Sequence, residues 1–250
     1  MKKILVLGGG FAGLWSAVGA ARKLAELGIG PDAVEITLID RNPYHAIRVR
    51  NYEDDLRGVT VPFADVLDPV GVKHVAGAVT AIDPGRRAVE VATPEGKRQL
   101  PYDRLVLALG SALNRPSIPG LDTYGFDIDT YAAATKVEAH ISALADQRSS
   151  SARDTVLVIG GGLTGIEMAA ELPSKLRRIL GVGPARMILA DSNASIGSDM
   201  GEHAKPVIAE ALAALGIETR VNIAVSAVDA GGAALASGEF IPTATAVAGG

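Results

Sequence analysis

Apolar residues cluster in two short runs that are rich in β-branched side chains, Ile4 to Leu7 and Val156 to Ile159. Three glycines follow each run, and apolar residues then recur at helical spacing, which predicts a buried strand, a turn and a helix. Each helical pattern is followed by a further apolar run that ends in an acid, "VEITLID" at Asp40 and "RMILAD" at Asp191. The pattern therefore predicts a strand-helix-strand unit in each half of the chain.

The two halves also share identical residues when they are aligned with an offset of 152 positions. These identities are Leu5 and Leu157, Val6 and Val158, glycines 8 to 10 and 160 to 162, Gly13 and Gly165, and Ala17 and Ala169. The duplication predicts the α/β class, with two Rossmann-like dinucleotide-binding units built on parallel sheets. We place the first unit at residues 1–115 and the second at residues 116–250.

Residues 60–109 alternate apolar and polar positions between turn signals, and this predicts an antiparallel β-meander inserted in the first unit. Turns at 84–85 and 94–96 separate three predicted strands, at 73–83, 87–93 and 98–109.

Residues 114–120, "NRPSIPG", have the proline and glycine content that is typical of a linker. Apolar residues at helical spacing then predict a helix from Tyr131 to Gln147, with Asp129 or Thr130 as its cap.

A later helix is predicted from Asp199 to Leu215, with Pro206 near its first turn or at a kink and Gly216 at its end. The glycine and alanine residues of 230–238 are typical of a hairpin turn region. Short alternating segments on both sides of this region predict further strands.

Composition narrows the function classes. The formal net charge of −4 and the lack of any Lys/Arg run argue against a nucleic-acid partner. The chain contains no cysteine, which excludes disulfides, thiolate metal sites and a cysteine redox relay, and which is consistent with a cytoplasmic setting. The four histidines stand far apart and have no metal-ligand spacing, so no metal site is expected. Small-molecule chemistry is the expected class.

The first glycine loop, Gly8-x-Gly10-x-x-Gly13, follows a predicted strand and opens a predicted helix. In that context the first glycine permits a tight turn, the second lets the backbone approach a pyrophosphate, and the third lets helix pack on strand. The phosphates then lie at the positive end of the helix. Asp40, 27 residues after Gly13, is placed to accept hydrogen bonds from ribose hydroxyls.

The second loop repeats this argument with Gly160, Gly162, Gly165 and, 26 residues later, Asp191. No arginine follows Asp191 closely, and its carboxylate would repel a 2′-phosphate, so NADH is favoured over NADPH. Two dinucleotide sites in one chain suggest a nicotinamide and a flavin, between which hydride passes directly when the rings are stacked. Such a reaction requires no catalytic triad, and the sequence contains no motif for one.

Several motifs resemble the flavoproteins with two dinucleotide-binding domains of the pyridine-nucleotide reductase type, and among them the type II NADH dehydrogenases. The motifs are "GGGFAGL" at 8–14, "DRNPYH" at 40–45, "YDRLVLALGS" at 102–111, "PSIPGL" at 116–121 and "VIGGGLTGIEMAAEL" at 158–172. The resemblance covers the whole chain. It implies transfer of hydride from NADH to FAD and then of electrons to an acceptor.

The resemblance also implies which residues hold each cofactor. FAD would contact Gly8, Gly10, Phe11, Ala12, Gly13, Asp40, Arg41, Val79, Ala108, Gly110 and Ser111. NADH would contact Gly160, Gly162, Leu163, Thr164, Gly165, Asp191 and Gly249.

Glu167 matches the family's glutamate beside the nicotinamide and flavin rings, and it is our candidate catalytic residue. The alternative is a glutamate that stabilises the start of its helix through the helix dipole. Trp15 and Met168, which follow the two loops, are interpreted as helix-packing residues rather than cofactor contacts.

The chain departs from the family in two ways. It has no Cys-x-x-Cys motif, so the acceptor is expected to be a quinone, a dye or a protein carrier rather than a disulfide. It also lacks the Gly-Asp pair of the segment that returns to the flavin domain, and it stops at "AVAGG". We therefore expect a truncated form of a longer protein, with weakened FAD binding and no membrane attachment.

Other interpretations stay open at this stage. In the parent protein, contact with the inner face of a membrane would be made by the missing C-terminal portion. A homodimer is compatible with the sequence. The alternative functions are a ferredoxin- or rubredoxin-reductase-like flavoprotein, or a nucleotide-binding or redox-sensing fragment without turnover.

Overall fold

The computed structural model describes residues 1–53, 55–113, 117–181 and 186–249, and it divides into two compact units. The first unit comprises Met1–Ile47 and Arg57–Ser111, and the second comprises Arg48–Leu56 and Ala112–Gly250. The predicted domain boundary at residues 115 and 116, with part of the predicted linker, lies outside the described residues. The division into cofactor domains at 1–115 and 116–250 stays a prediction.

The first unit is built around a parallel sheet with the strand order β5-β2-β1-β9. Its elements, in chain order, are β1 (Lys2–Leu7), α1 (Phe11–Glu26), β2 (Val34–Asp40), β3 (Tyr44–Ala46), β4 (Thr60–Pro62), α2 (Phe63–Leu67), β5 (Lys73–Ala76), β6 (Ala78–Asp83), β7 (Ala88–Thr93), β8 (Gly96–Pro101) and β9 (Arg104–Leu107). Strands β6, β7 and β8 form an antiparallel meander, as the sequence predicts.

Alternation along β1 explains how this sheet is covered on both faces. Val6 points into an apolar cluster with the buried side chains of α1 and α2, such as Leu14 and Phe63. Leu5 and Leu7 point the other way, into a second cluster with Val89 and Val91 of the meander. Because successive side chains of a strand face opposite sides, the continuous apolar run of β1 fits a sheet buried on both faces.

The prediction that residues 60–109 pair only as antiparallel strands is wrong at both ends of the segment. The predicted strand 73–83 is divided at Gly77, and its first part, β5, pairs in parallel with β2. The predicted strand 98–109 is divided after Pro101, and its last part, β9, pairs in parallel with β1. A methyl group on Gly77 would lie 2.6 Å from the Val91 side chain, so glycine lets the chain pass from sheet to meander there.

The second unit repeats this plan with a parallel sheet in the order β10-β17-β11-β12-β13 and an antiparallel sheet β14-β15-β16. Its elements are α3 (Leu121–Tyr124), β10 (Gly125–Phe126), α4 (Tyr131–Leu144), β11 (Thr155–Ile159), α5 (Leu163–Leu180), β12 (Arg186–Ala190), α6 (Ala204–Ala214), β13 (Glu218–Arg220), β14 (Val225–Asp229), β15 (Gly232–Leu235), β16 (Phe240–Pro242) and β17 (Thr245–Ala248). A core of buried residues from β11, β12, β17 and the antiparallel sheet fills the space between them.

The predicted duplication is confirmed strand by strand. Strands β1, β2, β5 and β9 of the first unit correspond in order and direction to β11, β12, β13 and β17 of the second. The short strand β10 lies outside β17 and has no counterpart beside β9 among the described residues. The α/β class with two Rossmann-like units and a meander insert is therefore the observed fold.

Predictions for the later elements are mostly confirmed. Thr130 caps α4, accepting a hydrogen bond from the Ala133 N–H through its side chain at 3.1 Å. Helix α6 starts at Ala204 instead of Asp199, so Pro206 lies in its first turn, where a missing N–H is tolerated. The region 230–238 is not only a turn, because β15 occupies its middle and pairs with β14 and β16.

The two residues interpreted as helix-packing side chains behave differently. Met168 is 1% exposed, as expected, whereas Trp15 is 68% exposed, so the packing interpretation is wrong for Trp15. No helix within the described residues is long and apolar enough to cross a membrane.

His140 of α4 gives the second unit a predicted dependence on pH. Its Nε2 lies 2.9 Å from the hydroxyl oxygen of Thr245, and its ring packs on Phe126 at a centroid distance of 4.4 Å. Burial lowers the pKa of this imidazole below its usual 6.5. The unfolded state therefore binds the proton more readily, and stability that is complete above about pH 6.5 is lost as pH falls below it.

We expect His140→Gln to flatten that part of the stability profile. Thermal unfolding followed by circular dichroism at pH 7.5 and pH 5.5 measures the effect, with His203→Gln as a control, because the His203 side chain is exposed. An unchanged difference between the two pH values in His140→Gln would contradict the assignment.

Candidate functional site

The first glycine loop joins β1 to α1, and steric contacts account for two of its glycines. Gly8 has φ +96° and a methyl group there would lie 2.2 Å from the Ala108 carbonyl oxygen. A methyl group on Gly13 would lie 1.8 Å from the Gly8 carbonyl oxygen. Both glycines are therefore required by the close approach of strand, loop and helix.

Gly10 is different, because a methyl group there would meet nothing within 4 Å. The residue is the N-cap of α1 in extended conformation, and α1 has no side-chain cap and no acidic residue in its first turn. The first N–H groups of a helix have no partner within the helix, so those of Phe11, Ala12 and Gly13 are available to an acceptor from outside. An anion fits at this place, since both the open space and the helix dipole favour it.

Asp40 at the end of β2 clamps this loop. Its Oδ2 accepts a hydrogen bond from the Gly9 N–H at 2.7 Å, and its Oδ1 accepts one from the Asn42 N–H at 2.8 Å. A carboxylate oxygen has two lone pairs, so each oxygen keeps capacity for a second donor. The predicted hydrogen bonds to a ribose are compatible with this clamp, and the sequence alone did not indicate it.

The other predicted residues of the first site lie at different distances from the loop. Ala108 is adjacent to it, since its N–H donates to Leu7 at the end of β1 at 2.9 Å. Gly77 donates to the Asp40 carbonyl at 2.9 Å, and this contact brings the start of β6, with Val79, to the same end of the sheet. Gly110 and Ser111 follow Ala108 and are exposed, as is Arg41 after β2.

His45 of β3 is a residue of this site that the sequence analysis missed. Its Nδ1 lies 2.8 Å from the Gly9 carbonyl oxygen, and because a carbonyl only accepts, Nδ1 carries the proton. The imidazole is buried and its ring meets Phe11 edge to face at 4.8 Å. The only signal in the sequence is its position in "DRNPYH", five residues after the clamping Asp40.

The second loop, between β11 and α5, has the same steric plan. Gly160 has φ +106°, and a methyl group on Gly165 would lie 2.0 Å from the Gly160 carbonyl oxygen. Gly249 follows β17 as Ala108 follows β9, and its N–H donates to Ile159 at 2.8 Å. A methyl group on Gly249 would lie 2.6 Å from the Gly165 Cα, so this chain end packs directly on the loop.

Asp191 clamps the second loop in the way that Asp40 clamps the first. Its carboxylate accepts hydrogen bonds from the Gly161 N–H and, at 2.6 Å, from the Asn193 N–H. Asp191 is 8% exposed. The shared Asp-x-Asn spacing, "DRN" at 40–42 and "DSN" at 191–193, is the sequence signal for this clamp.

Gly162 is the N-cap of α5, which, like α1, has no side-chain cap and no acidic residue in its first turn. Leu163 and Thr164 lie exposed in that turn. Helix α4 shows the contrast, because Thr130 caps it. Both glycine loops thus end at a helix whose first N–H groups have no side-chain acceptor of their own.

Glu167 lies one turn into α5, and the pKa of its carboxyl is raised by burial. The helix dipole acts mainly on the first turn, and α5 has no acidic residue in its first turn, so the dipole interpretation is not favoured. Tyr52, in the segment 48–56 that belongs to the second unit, has its pKa raised first by burial and then by the charge of Glu167. The catalytic role of Glu167 stays a prediction.

Other chemistry is not found at these loops. No group of three or more His, Asp or Glu side chains that could hold a metal ion occurs within the described ranges. The polar groups that the structure places at the two loops are backbone N–H groups, the carboxylates of Asp40 and Asp191, and the imidazole of His45.

A family model supplies the comparison that decides the affiliation of the chain. The model of the pyridine nucleotide-disulphide oxidoreductases matches residues 2–248. The chain belongs to this family. Its two clamped glycine loops both lie inside the matched range.

Relatives within the family agree with this affiliation. An NADH dehydrogenase-like protein of Mycobacterium tuberculosis is 48% identical over 251 residues, which cover 99% of this chain and 62% of the relative. A type II NADH:quinone oxidoreductase of Staphylococcus haemolyticus is 34% identical over 189 residues, covering 70% of this chain and 44% of the relative. The chain thus spans less than two thirds of the length of these relatives.

Solved structures support the fold. That of NDH2 from Plasmodium falciparum in complex with NADH has a TM-score of 0.82 at 18% identity, covering 100% of this chain and 55% of that one. An NAD-dependent persulfide reductase from A. fulgidus has a TM-score of 0.80 at 19% identity, covering 99% and 45% of the two chains. At these identities the similarity concerns the architecture of the family.

Proposed function

We propose that this chain holds FAD at the first glycine loop and NADH at the second, as the nucleotide-binding part of an NADH:acceptor oxidoreductase. The observation that carries the proposal is the pair of loops with the same contacts: a glycine of positive φ, an uncapped helix and a carboxylate clamp. A loop with a purely structural role would need neither the empty space beside Gly10 nor backbone N–H groups that lack an acceptor. Two such sites in one chain suit two dinucleotides.

The residues around each loop suit a dinucleotide in their chemistry. The pyrophosphate of FAD would lie on the N–H groups that begin α1, beside Gly10, and that of NADH on those that begin α5. The remaining lone pairs of Asp40 and Asp191 would accept ribose hydroxyls. Ala108 and Gly249, which close the two loops from the neighbouring strands, would line the same places.

NADH fits the second loop better than NADPH does. Asp191 is buried, so its charge is poorly screened, and a 2′-phosphate beside it would be repelled. Ser192 and Asn193 follow it, and neither offers the positive charge that a 2′-phosphate needs.

When both cofactors are bound, the nicotinamide supplies a hydride that the flavin accepts. The protein's contribution is to bind and orient the two groups. Burial raises the pKa of Glu167, so its carboxyl would keep a proton to higher pH than an exposed glutamate does. A quinone is the proposed acceptor, supported by the names of relatives such as the type II NADH:quinone oxidoreductase and a demethylphylloquinone reductase of Synechocystis.

The proposal is tested by adding NADH, without oxygen, to the 250-residue protein loaded with FAD. Flavin absorbance is expected to bleach, and a short-chain quinone is then expected to restore it faster than oxygen does. NADPH serves as the matched control and should bleach the flavin at least about tenfold more slowly.

Binding of FAD and NADH is measured separately by calorimetry, so that a failure of transfer is not confused with a failure of binding. Both nucleotides bound with no bleaching would refute the oxidoreductase and leave a nucleotide-binding fragment. Bleaching that a protein carrier reverses, but a quinone does not, would refute the quinone acceptor.

A further inference from the structure

A cavity of about 400 Å³ lies in the first unit, between the parallel sheet and the strand β8 of the meander. It opens at the amino ends of β1, β2 and β5, whereas the glycine loop lies at the carboxyl end of β1. Five residues separate Lys3 in the cavity from Gly8 in the loop, which is about 16 Å along a strand. The cavity is therefore separate from the candidate nucleotide site, and we call it the amino-end cavity.

The amino-end cavity concentrates positive charge in a chain whose net charge is negative. Lys3 and Arg98 line it, and neither side chain makes a close ion pair with a described residue, although hydrogen bonds and then the charge of Arg98 lower the pKa of Glu95. Lys73 also lines it and pairs with Glu35 at 2.5 Å. Glu35 balances the charge of Lys73, which leaves Lys3 and Arg98 as the two cations in the lining of the cavity without a close ion pair.

Strand geometry explains why Arg98 faces the cavity. In the meander, Arg98 and Leu100 lie opposite Val91 and Val89, which are buried against the parallel sheet. Lys97 lies on the other face of β8, where it pairs with Glu90 at 3.0 Å. Adjacent residues of one strand thus place one cation in the cavity and the other outside it.

The floor of the cavity is formed by buried residues of the sheet and carries one hydroxyl group. Thr37 is 6% exposed and lies beside Leu5, which is 3% exposed, on the sheet face that lines the cavity. The Thr37 hydroxyl makes no hydrogen bond with any residue that the structure describes. Thr37 is not among the fully buried polar atoms without a partner, so its hydroxyl is open to the cavity, where water or a ligand atom can reach it.

We propose that the amino-end cavity binds a small organic anion that carries two or more negative charges and a hydrogen-bonding group near its centre. Lys3 and Arg98 would pair with its charges, Thr37 would hydrogen-bond to its interior oxygen, and Leu5 would contact its carbon skeleton. The volume lies within the range of about 300–1,000 Å³ that is usual for small-molecule sites. Polycarboxylates and phosphate esters share this chemistry.

The test is isothermal titration calorimetry of the whole chain with citrate and with glycerol 3-phosphate, at low ionic strength and with excess FAD occupying the glycine loop. We expect at least one of the two probes to bind, and the probe that binds identifies carboxylate or phosphate as the preferred group. Lys3→Gln and Arg98→Gln should each weaken that binding by about tenfold, and Thr37→Val by about threefold. Glu35→Gln should strengthen it, because it removes the one negative charge of the cavity.

Lys97→Gln is the matched control, since it removes the same charge from the same strand but on the opposite face. Binding of neither probe would overturn the proposal, as would equal weakening by Lys97→Gln and Arg98→Gln, which would indicate a bulk charge effect. Arg98 is exposed, so Arg98→Gln is expected to keep the unfolding temperature of the wild type. If Lys3→Gln unfolds the protein, the proposal is tested by comparing the probe affinities of Arg98→Gln and Lys97→Gln alone.

Discussion

Replacing Gly13 with alanine is expected to lower the free energy of unfolding of the first unit by at least about 3 kcal/mol. The new methyl group would lie 1.8 Å from the carbonyl oxygen of Gly8. That oxygen belongs to backbone and cannot rotate away, and moving Gly8 would disturb the hydrogen bond from its N–H to Ile39 at 2.8 Å. Helix α1 would have to leave β1, and FAD binding is expected to be lost with it.

Gly10→Ala is the matched control in the same loop. Its methyl group meets nothing within 4 Å, and the φ of −68° is one that alanine adopts readily. We expect stability to change by no more than about 1 kcal/mol, while FAD affinity falls because the methyl group occupies the space of the approaching phosphates. Urea unfolding followed by circular dichroism measures the first quantity and flavin fluorescence the second. Equal stability of Gly13→Ala and Gly10→Ala would contradict the steric account.

Replacing Asp191 with alanine is expected to weaken NADH binding by more than about tenfold and to destabilise the second unit by about 1–3 kcal/mol. The carboxylate is 8% exposed and accepts hydrogen bonds from the Gly161 and Asn193 N–H groups, which the variant leaves without partners. Asp191→Asn removes the charge and keeps one acceptor oxygen, but its amide NH2 group then faces the second backbone N–H. It should therefore recover only part of the lost stability, and it should narrow the preference for NADH over NADPH.

Asp229→Asn is the control for this pair. Asp229 also accepts two backbone hydrogen bonds, from Gly231 at 2.7 Å and Gly232 at 3.0 Å, but in an exposed turn. Its replacement should leave both nucleotide affinities unchanged, as measured by calorimetry. An Asp191→Ala variant with the wild-type affinity for NADH would show that the ribose lies elsewhere.

The glycine loops could be predicted from sequence because their constraints are local. Gly13 packs on the Gly8 carbonyl group, and the two residues are only five positions apart. The spacing of the glycines in the sequence is therefore enough to predict this contact. The carboxylate clamp is less visible, because the Gly9 and Asp40 groups that meet are 31 residues apart. A repeated Asp-x-Asn in both halves was the available signal.

Long-range pairing explains the parts that the sequence did not reveal. Alternation predicts that β5 and β9 are strands but not that they pair in parallel, since the same apolar pattern serves either direction. The segment 48–56 joins the second unit because the buried Asn51 side chain donates to the Ile128 carbonyl, 77 residues away. Trp15 falls at an apolar position of a helix, and periodicity does not show which face is covered.

The two carboxylate clamps have a consequence for how nucleotides enter and leave. Asp40 and Asp191 hold their loops through hydrogen bonds made within the protein, so the shape of each loop is supported without contacts to a ligand. Ordering a residue costs about 1–2 kcal/mol, and the free energy of binding to a preorganised loop is not reduced by this cost. On the proposed function, a departing nucleotide would leave the loop in the shape that receives the next one, and exchange would then be limited by the ligand's own contacts.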